Sequence, residues 1–158
     1  MKVRDVMVTD PVVLFPDETI KDAVEKFAEH RISGCPVIDD EGHILGIMTE
    51  TDILESLKTH YRELKMKVPP ETIIGISFVE IAKKKEVAEA FEEIASTPVK
   101  DAMTRNVITA QSEDDFEDVI HKMVKHDVNR VPIVERGVLV GIVTRGDVIR
   151  AVQRLSLK

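Results

Sequence analysis

Residues 141–149 read GIVTRGDVI, and almost the same pattern stands earlier in the chain, where residues 46–54 read GIMTETDIL. In each copy a glycine and two apolar residues lead to a threonine, two variable positions, an aspartate and an apolar pair. The apolar run before the threonine predicts a strand, and the apolar pair after the aspartate predicts the start of a helix. The chain therefore carries the same strand-to-helix junction twice.

The threonine and aspartate of each junction have two interpretations. Thr49 with Asp52, and Thr144 with Asp147, are spaced as in a capping box, which satisfies free N–H groups at the helix start. The same oxygens are also suited to hold the hydroxyl groups of a sugar, which would make each pair part of a ligand site. One copy of this spacing does not distinguish the two interpretations.

The repeat extends over most of the chain. The copies are offset by 96 residues up to the pair Pro36 and Pro132, and by 95 residues from the pair Gly42 and Gly137 onward. The single residue lost between these pairs predicts a hairpin turn, where a change of length is tolerated. A unit of about 50 residues buries too little surface to be stable alone, so the two copies are expected to pack together.

Each copy is predicted to run strand, helix, strand, turn, strand, helix. The first helix has one apolar stripe at positions i, i+3, i+4, i+7 and i+8. Its members are Ile20, Ala23, Val24, Phe27 and Ala28 in one copy and Phe116, Val119, Ile120, Met123 and Val124 in the other. We expect one domain over residues 1–158, with repeat one at about 1–56, a helical insert at about 57–96 and repeat two at about 97–153.

The insert has no counterpart after the second copy. Within it, an apolar stripe from Val87 to Ala95 predicts a helix that ends before Pro98. The apolar run of residues 73–79 is compatible with a strand or with an apolar flap.

Composition excludes several classes of function. The net charge is −7, and no basic cluster is interleaved with aromatic residues, so neither nucleic acid nor a membrane surface is an expected partner. The sequence shows no apolar run long enough to span a membrane and no secretory leader, so a cytoplasmic location is expected. The only cysteine, Cys35, is expected in the core. We find no metal-ligand spacing and no nucleophile paired with a base, so no catalytic residue and no metal site are predicted.

The order of these motifs resembles the cystathionine-β-synthase (CBS) domain pair. The resemblance rests on residues 3–7 (VRDVM) and 99–103 (VKDAM), on residues 33–38 (SGCPVI) and 129–134 (NRVPIV), and on the two glycine-to-aspartate stretches. It implies a mixed α/β (α+β) fold with two pseudo-symmetric β-α-β-β-α repeats packed through their sheets and helices outside. It also implies two clefts that hold adenosine-containing ligands, and pairing of two chains through their helices.

The resemblance further implies that the two sites are crossed, with the aspartate of one copy working against the middle strand of the other. The implied residues of the first site are Asp52, Thr49, Thr104, Val128, Asn129 and Arg130. Those of the second site are Asp147, Thr144, Arg145, Thr9, Ile32, Ser33 and Gly34. In either site an ionised carboxylate, which only accepts hydrogen bonds, is suited to bridge two ribose hydroxyls.

The two sites differ in their expected affinity for phosphate. Arg130 is predicted to reach a phosphate in the Asp52 site, whereas Ser33 and Gly34 offer no cation in the other site. The alternative for Arg130 is a surface cation paired with Asp127 or Glu135. Arg145 is compatible with either site.

These observations predict a non-catalytic regulatory module that binds AMP, ADP, ATP or an S-adenosylmethionine-like ligand. No cofactor is expected beyond that ligand, and the need for Mg²⁺ stays open. A homodimer and a separate effector protein are the expected partners. The first alternative is a structural or protein-interaction module without ligand. The second is a regulatory partner of a separate enzyme, since the chain is too short to add a catalytic barrel of about 250 residues.

Overall fold

The computed structural model describes residues 1–65 and 76–157, with the side chains of residues 1–58 and 85–157. Its strands and helices, in chain order, are β1 (Val8–Thr9), α1 (Ile20–His30), β2 (Gly34–Ile38), β3 (Ile44–Thr49), α2 (Glu50–Lys65), α3 (Ile76–Ile94), α4 (Val99–Ala102), α5 (Phe116–His126), β4 (Arg130–Glu135), β5 (Val138–Thr144) and α6 (Arg145–Ser156). The mixed α/β fold of two similar halves is therefore confirmed.

Each half contains one antiparallel hairpin, β2–β3 in the first half and β4–β5 in the second. The turns contain Gly42 at φ 86° and Gly137 at φ 80°, a left-handed backbone region in which a side chain would be strained. The predicted hairpin at the length change is thus correct. The two turns also touch, since Ile44 N donates to Gly137 O at 3.1 Å and Leu139 N donates to Gly42 O at 2.9 Å.

The opening segment of each copy packs on the other copy. Val3 N donates to Asp114 O at 3.0 Å, and β1 pairs with β5 so that Val8 lies opposite Ile142. In the reverse direction, Val99 N donates to Glu18 O at 2.7 Å. The sequence repeat and the structural half therefore do not coincide, because each half is completed by about ten residues from the other repeat.

Each of the two hydrophobic cores contains residues from both repeats. The first core contains Leu14, Ile20, Ala23, Phe27, Cys35, Val37, Met48, Ile53, Ile94, Val99 and Met103. The second contains Val3, Ala110, Val119, Met123, Val131, Ile133 and Val143. Because Val99 and Met103 come from the second repeat and Val3 from the first, neither core is formed by one repeat alone.

The apolar stripes of α1 and α5 are buried, or half-buried at Val24 and Ile120, except at their last position. Phe27 and Met123 are buried, but Ala28 is exposed and Val124 is 78% exposed. The prediction for Ala28 and Val124 was wrong because each helix ends two residues later, at a left-handed C-cap, where its last turn has left the core.

The predicted helix of the insert corresponds to the end of α3, where Ala90 and Ile94 are buried but Val87, the first residue of the predicted stripe, is 48% exposed. Of the apolar run at residues 73–79, residues 73–75 lie outside the described part of the chain. Residues 76–79 form the first turn of α3, so a strand is excluded for them.

Cys35 is a core residue, as predicted. It lies in β2 as a free thiol, and burial raises its pKa to about 12. A thiol that stays protonated at neutral pH is a poor nucleophile, which agrees with a packing role.

Two candidate ligand clefts

In both Thr-Asp pairs the aspartate caps the threonine backbone, and Thr144 with Asp147 forms a full capping box, because Asp147 N also donates to Thr144 Oγ1 at 3.4 Å. Thr49 N and Thr144 N each donate to Oδ2 of the aspartate three residues later, Asp52 or Asp147, at 2.8 Å. The capping interpretation is therefore confirmed in full for Thr144 and Asp147, and at Thr49 and Asp52 for the bond that the aspartate accepts. It does not exclude the ligand interpretation, because capping uses only one oxygen of each carboxylate, and the surroundings of Oδ1 decide whether a ligand has access.

A capping box at the start of α1, outside both junctions, can be compared with the two Thr-Asp pairs. Thr19 and Asp22 at the start of α1 make the same contacts, with Thr19 N donating to Asp22 Oδ2 at 2.8 Å. These hydrogen bonds lower the pKa of the Asp22 carboxyl. Asp22 lines neither cleft described below. The spacing by itself therefore marks a helix start and not a site.

Asp52 lies at the wall of a cavity of about 280 Å³, which we call the Asp52 cleft. It is lined by Ile47, Thr49, Glu50, Thr51, Asp52, Thr104, Asn106, Val107, Ile108, Asp127, Val128, Asn129 and Arg130. The Thr104 hydroxyl donates to Asp52 Oδ1 at 2.8 Å across the two repeats. All six residues predicted for this site thus line one cavity, in the crossed arrangement.

A second cavity of about 410 Å³ lies beside the start of α6, and we call it the arginine cleft. It is lined by Arg31, Ile32, Ser33, Gly34, Glu50, Asn129, Arg130, Thr144, Arg145 and Gly146. Ile32, Ser33, Gly34, Thr144 and Arg145 are brought together here, again in the crossed arrangement. The lining does not include Thr9 or Asp147.

Asp147 is withdrawn from the arginine cleft by its neighbours. It is 6% exposed, and its Oδ1 accepts a hydrogen bond from Arg150 Nη2 at 2.6 Å. Arg150 lies one helical turn later, on the same face of α6. Both oxygens of Asp147 have protein partners, as those of Asp52 do, but Asp147 is buried and the partner of its Oδ1 is a cation, so a ribose would have to displace Arg150 to reach the carboxylate.

Thr9 was misplaced in the prediction. At the offset of 96 residues its repeat equivalent is Arg105, whereas the equivalent of Thr104 is Val8. Thr9 pairs with Gly141 in the β1–β5 ladder. Because side chains alternate along a strand, a shift of one residue moves the side chain to the other face.

Arg130 is not a surface cation. It is 9% exposed, and its Nη2 donates to Ser33 Oγ in the other repeat. Glu135, one of the partners considered for it, instead accepts a hydrogen bond from Ser112 N at 3.0 Å. Burial lowers the pKa of Arg130, and the charge of Glu50 opposes this shift. The alternative of a surface pair with Asp127 or Glu135 is therefore wrong.

Gly34 makes room for the Arg130 side chain. A Cβ at Gly34 would lie 2.3 Å from Arg130 Nη1, closer than any real contact of that kind. Because Gly34 is the repeat equivalent of Arg130, the arginine of one repeat fills the space that a side chain would need in the other. Arg130 lines both clefts and donates to Ser33, so its assignment to the Asp52 site alone was incomplete.

Among the described side chains, no group of three histidine, cysteine or acidic residues is placed to hold a metal ion. None of the described helices has both the length and the apolar character that crossing a membrane requires.

The CBS domain family model matches residues 3–59 and 99–154. The chain belongs to the CBS domain family. A relative from Methanocaldococcus jannaschii, the uncharacterized protein MJ1426, is 36% identical over 96% of this chain and 90% of its own length.

Two solved structures share the fold of this CBS pair. The structure of CBSX2 in complex with AMP matches with a TM-score of 0.71 and 25% identity over 98% of both chains. The CBS domain pair of MJ0100, in complex with 5-methylthioadenosine and S-adenosyl-L-methionine, matches with a TM-score of 0.66 and 25% identity over 96% of this chain and 99% of that chain.

The two clefts of this CBS pair differ most at two pairs of repeat-equivalent residues, of which the sequence prediction had assigned only Arg145 to a site. Arg31 lines the arginine cleft, and its repeat equivalent Asp127 lines the Asp52 cleft. Arg145 lines only the arginine cleft, and its equivalent Glu50 lines both. At both pairs the charge is reversed. Comparison of the two repeats at the offsets of 96 and 95 would have revealed these reversals, but only the structure shows that they face the clefts.

Proposed function

We propose that this CBS pair is a non-catalytic regulatory module that binds adenosine-type ligands in the clefts between its repeats. The supporting observation is the Asp52 cleft, where a carboxylate oxygen facing a cavity is combined with apolar walls from the other repeat. Asp52 Oδ1 is already within hydrogen-bond reach of a hydroxyl, that of Thr104, at 2.8 Å. A ribose hydroxyl has the same donor chemistry and is suited to the same oxygen.

The lining of the Asp52 cleft also suits a purine. Ile47, Val107, Ile108 and Val128 provide an aliphatic slot, and the cavity of about 280 Å³ is near the lower end of the range for small-ligand sites. A mononucleoside therefore fits better than a dinucleotide. The bound AMP of CBSX2 and the adenosine-derived ligands of the MJ0100 pair are of this chemical class.

We expect calorimetry to detect binding of at least one ligand from a panel of AMP, ADP, ATP, S-adenosylmethionine and NADH. The stoichiometry should be one or two per chain, because there are two clefts. Binding to the native state alone raises stability by about 2.7 kcal/mol at a ligand concentration 100 times the Kd, so the Tm should rise in parallel. Absence of both heat and a Tm shift for the whole panel at millimolar concentration would contradict the proposed function.

A structural or protein-interaction role without ligand is the second candidate, and one observation favours it. Asp147 is buried and held by Thr144 and Arg150, so the second repeat does not present a free carboxylate. If this alternative is correct, neither cleft binds a ligand, and calorimetry with the panel above detects no binding.

We also propose that two copies associate through the outer faces of α2 and α6. Leu54 is 62% exposed and its repeat equivalent Ile149 is 69% exposed, and Val152 extends the apolar face of α6 by one turn. Equivalent apolar residues on two pseudo-symmetric helices suit a self-complementary two-fold interface. The effector that reads the ligand state, and the cytoplasmic location, stay predictions from the sequence.

Light scattering at tens of micromolar should give about twice the chain mass of 17.8 kDa. The double substitution Leu54→Glu with Ile149→Glu places charges in the proposed interface, where like charges repel, and should shift the mass toward the monomer. The same substitution at exposed Val124 is the control and should leave the mass unchanged. A monomer for the unaltered protein would contradict the proposed dimer.

A further inference from the structure

The formal charges around the two clefts have opposite sign. The Asp52 cleft is lined by three carboxylates, Glu50, Asp52 and Asp127, and by one guanidinium, Arg130. The arginine cleft is lined by Arg31, Arg130 and Arg145, with Glu50 as its only carboxylate. This difference follows directly from the reversed pairs Arg31/Asp127 and Glu50/Arg145.

The arginine cleft combines one buried cation, Arg130, with two exposed ones, Arg31 and Arg145. Arg130 is buried at its base and fixed by Ser33, so the guanidinium is held in place without a ligand. Arg145 stands at the first residue of α6, where the helix dipole also favours an anion, and its backbone N donates to Asn129 O at 3.0 Å. Arg31 is the left-handed C-cap residue of α1, which fixes its backbone conformation.

Resting on the proposed function, we infer that the two clefts sort adenosine-type ligands by charge. The arginine cleft takes the phosphate-bearing ligand, a nucleotide such as AMP. The Asp52 cleft takes an uncharged or cationic adenosine derivative. Arginine binds phosphate through paired N–H groups. The absence of Asp147 from the lining of this cleft matters less for a nucleotide, because the phosphate and not the ribose supplies the main contact.

Electrostatics opposes the reverse assignment. A phosphate in the Asp52 cleft would face the like charges of Glu50, Asp52 and Asp127, against the single cation Arg130. An uncharged adenosine meets no such repulsion there and gains the Asp52 carboxylate as an acceptor. A sulfonium, as in S-adenosylmethionine, is attracted by the same three carboxylates.

The test compares AMP with adenosine by calorimetry on the unaltered protein and on Arg145→Gln. Arg145 is exposed, so the substitution should leave the fold intact. We expect the affinity for AMP to fall by about tenfold and the affinity for adenosine to change by less than about twofold. Arg154→Gln, on the same helix but outside both clefts, is the matched control and should alter neither affinity. Raising the salt concentration should weaken AMP binding and not adenosine binding.

The outcomes separate this inference from the proposed function. If adenosine and AMP both bind and Arg145→Gln weakens both equally or neither, sorting by charge is overturned and the module still binds adenosine ligands. If AMP competes with adenosine for a single site, the assignment to two clefts is overturned. If neither ligand binds the unaltered protein, the proposed function fails, and this inference fails with it.

Discussion

Replacing Asp52 by alanine is expected to weaken adenosine binding by about 100-fold. The substitution removes the carboxylate that faces the Asp52 cleft and, with it, about two charge-assisted hydrogen bonds to the ribose. Each such bond contributes about 1.5–3 kcal/mol, so even the low end for two bonds, about 3 kcal/mol, corresponds to a factor of at least about 100 in Kd. The measurement is calorimetric titration with adenosine.

The same substitution also removes a helix cap, which must be separated from the loss of a ligand contact. Loss of the cap alone lowers the free energy of unfolding by about 0.5–2 kcal/mol. Asp22→Ala is the matched control, since Asp22 occupies the same position in the capping box of α1 and lines neither cleft. It should lower the Tm by a similar amount and leave adenosine affinity unchanged. If Asp52→Ala lowers the Tm but not the affinity, Asp52 is only a cap.

Replacing Gly46 by alanine is expected to lower the free energy of unfolding by about 1–3 kcal/mol, the usual cost of overpacking a well-packed site. A Cβ at Gly46 would lie 2.6 Å from Met103 Sδ and 2.8 Å from Thr104 O. The sulfur can move, but the Thr104 carbonyl cannot, because Thr104 and Ile47 exchange two main-chain hydrogen bonds of 2.8 and 2.9 Å. The substitution should therefore displace the opening segment of the second repeat from the first half.

Thermal or urea unfolding measures this effect, with Gly146→Ala as the control. Gly146 lies in α6, and the nearest atom to a Cβ there is Arg150 Nη1, at the end of a flexible side chain, at 3.3 Å. Alanine is favoured over glycine within a helix, so this variant should be neutral or slightly more stable. If the Gly46→Ala variant is as stable as the unaltered protein, the opening segment of the second repeat does not need to lie this close to Gly46.

The features that the sequence predicted correctly are those that depend on residues close together in the chain. The apolar spacing of residues 20–27 and 116–123 predicted α1 and α5, and the single-residue length change predicted the hairpin turn. These features depend on neighbours within about one turn or one strand, which a sequence displays directly. The prediction for Thr9 was wrong by one residue, because the repeat equivalent of Thr104 is Val8. Neighbouring side chains in β1 point to opposite faces of the strand.

The sequence by itself determined that this chain is a tandem CBS repeat with a helical insert and with an aspartate in the first turn of each closing helix. Only the tertiary structure decided that the opening segments are exchanged, that Arg130 is buried against Ser33, and that Asp147 is held by Arg150. The sequence also contains the charge reversals at Arg31/Asp127 and Glu50/Arg145, but their meaning depends on which side chains face the same cavity. That is a property of packing across the two repeats, where residues about 97 positions apart come into contact. Local periodicity carries no information about such contacts.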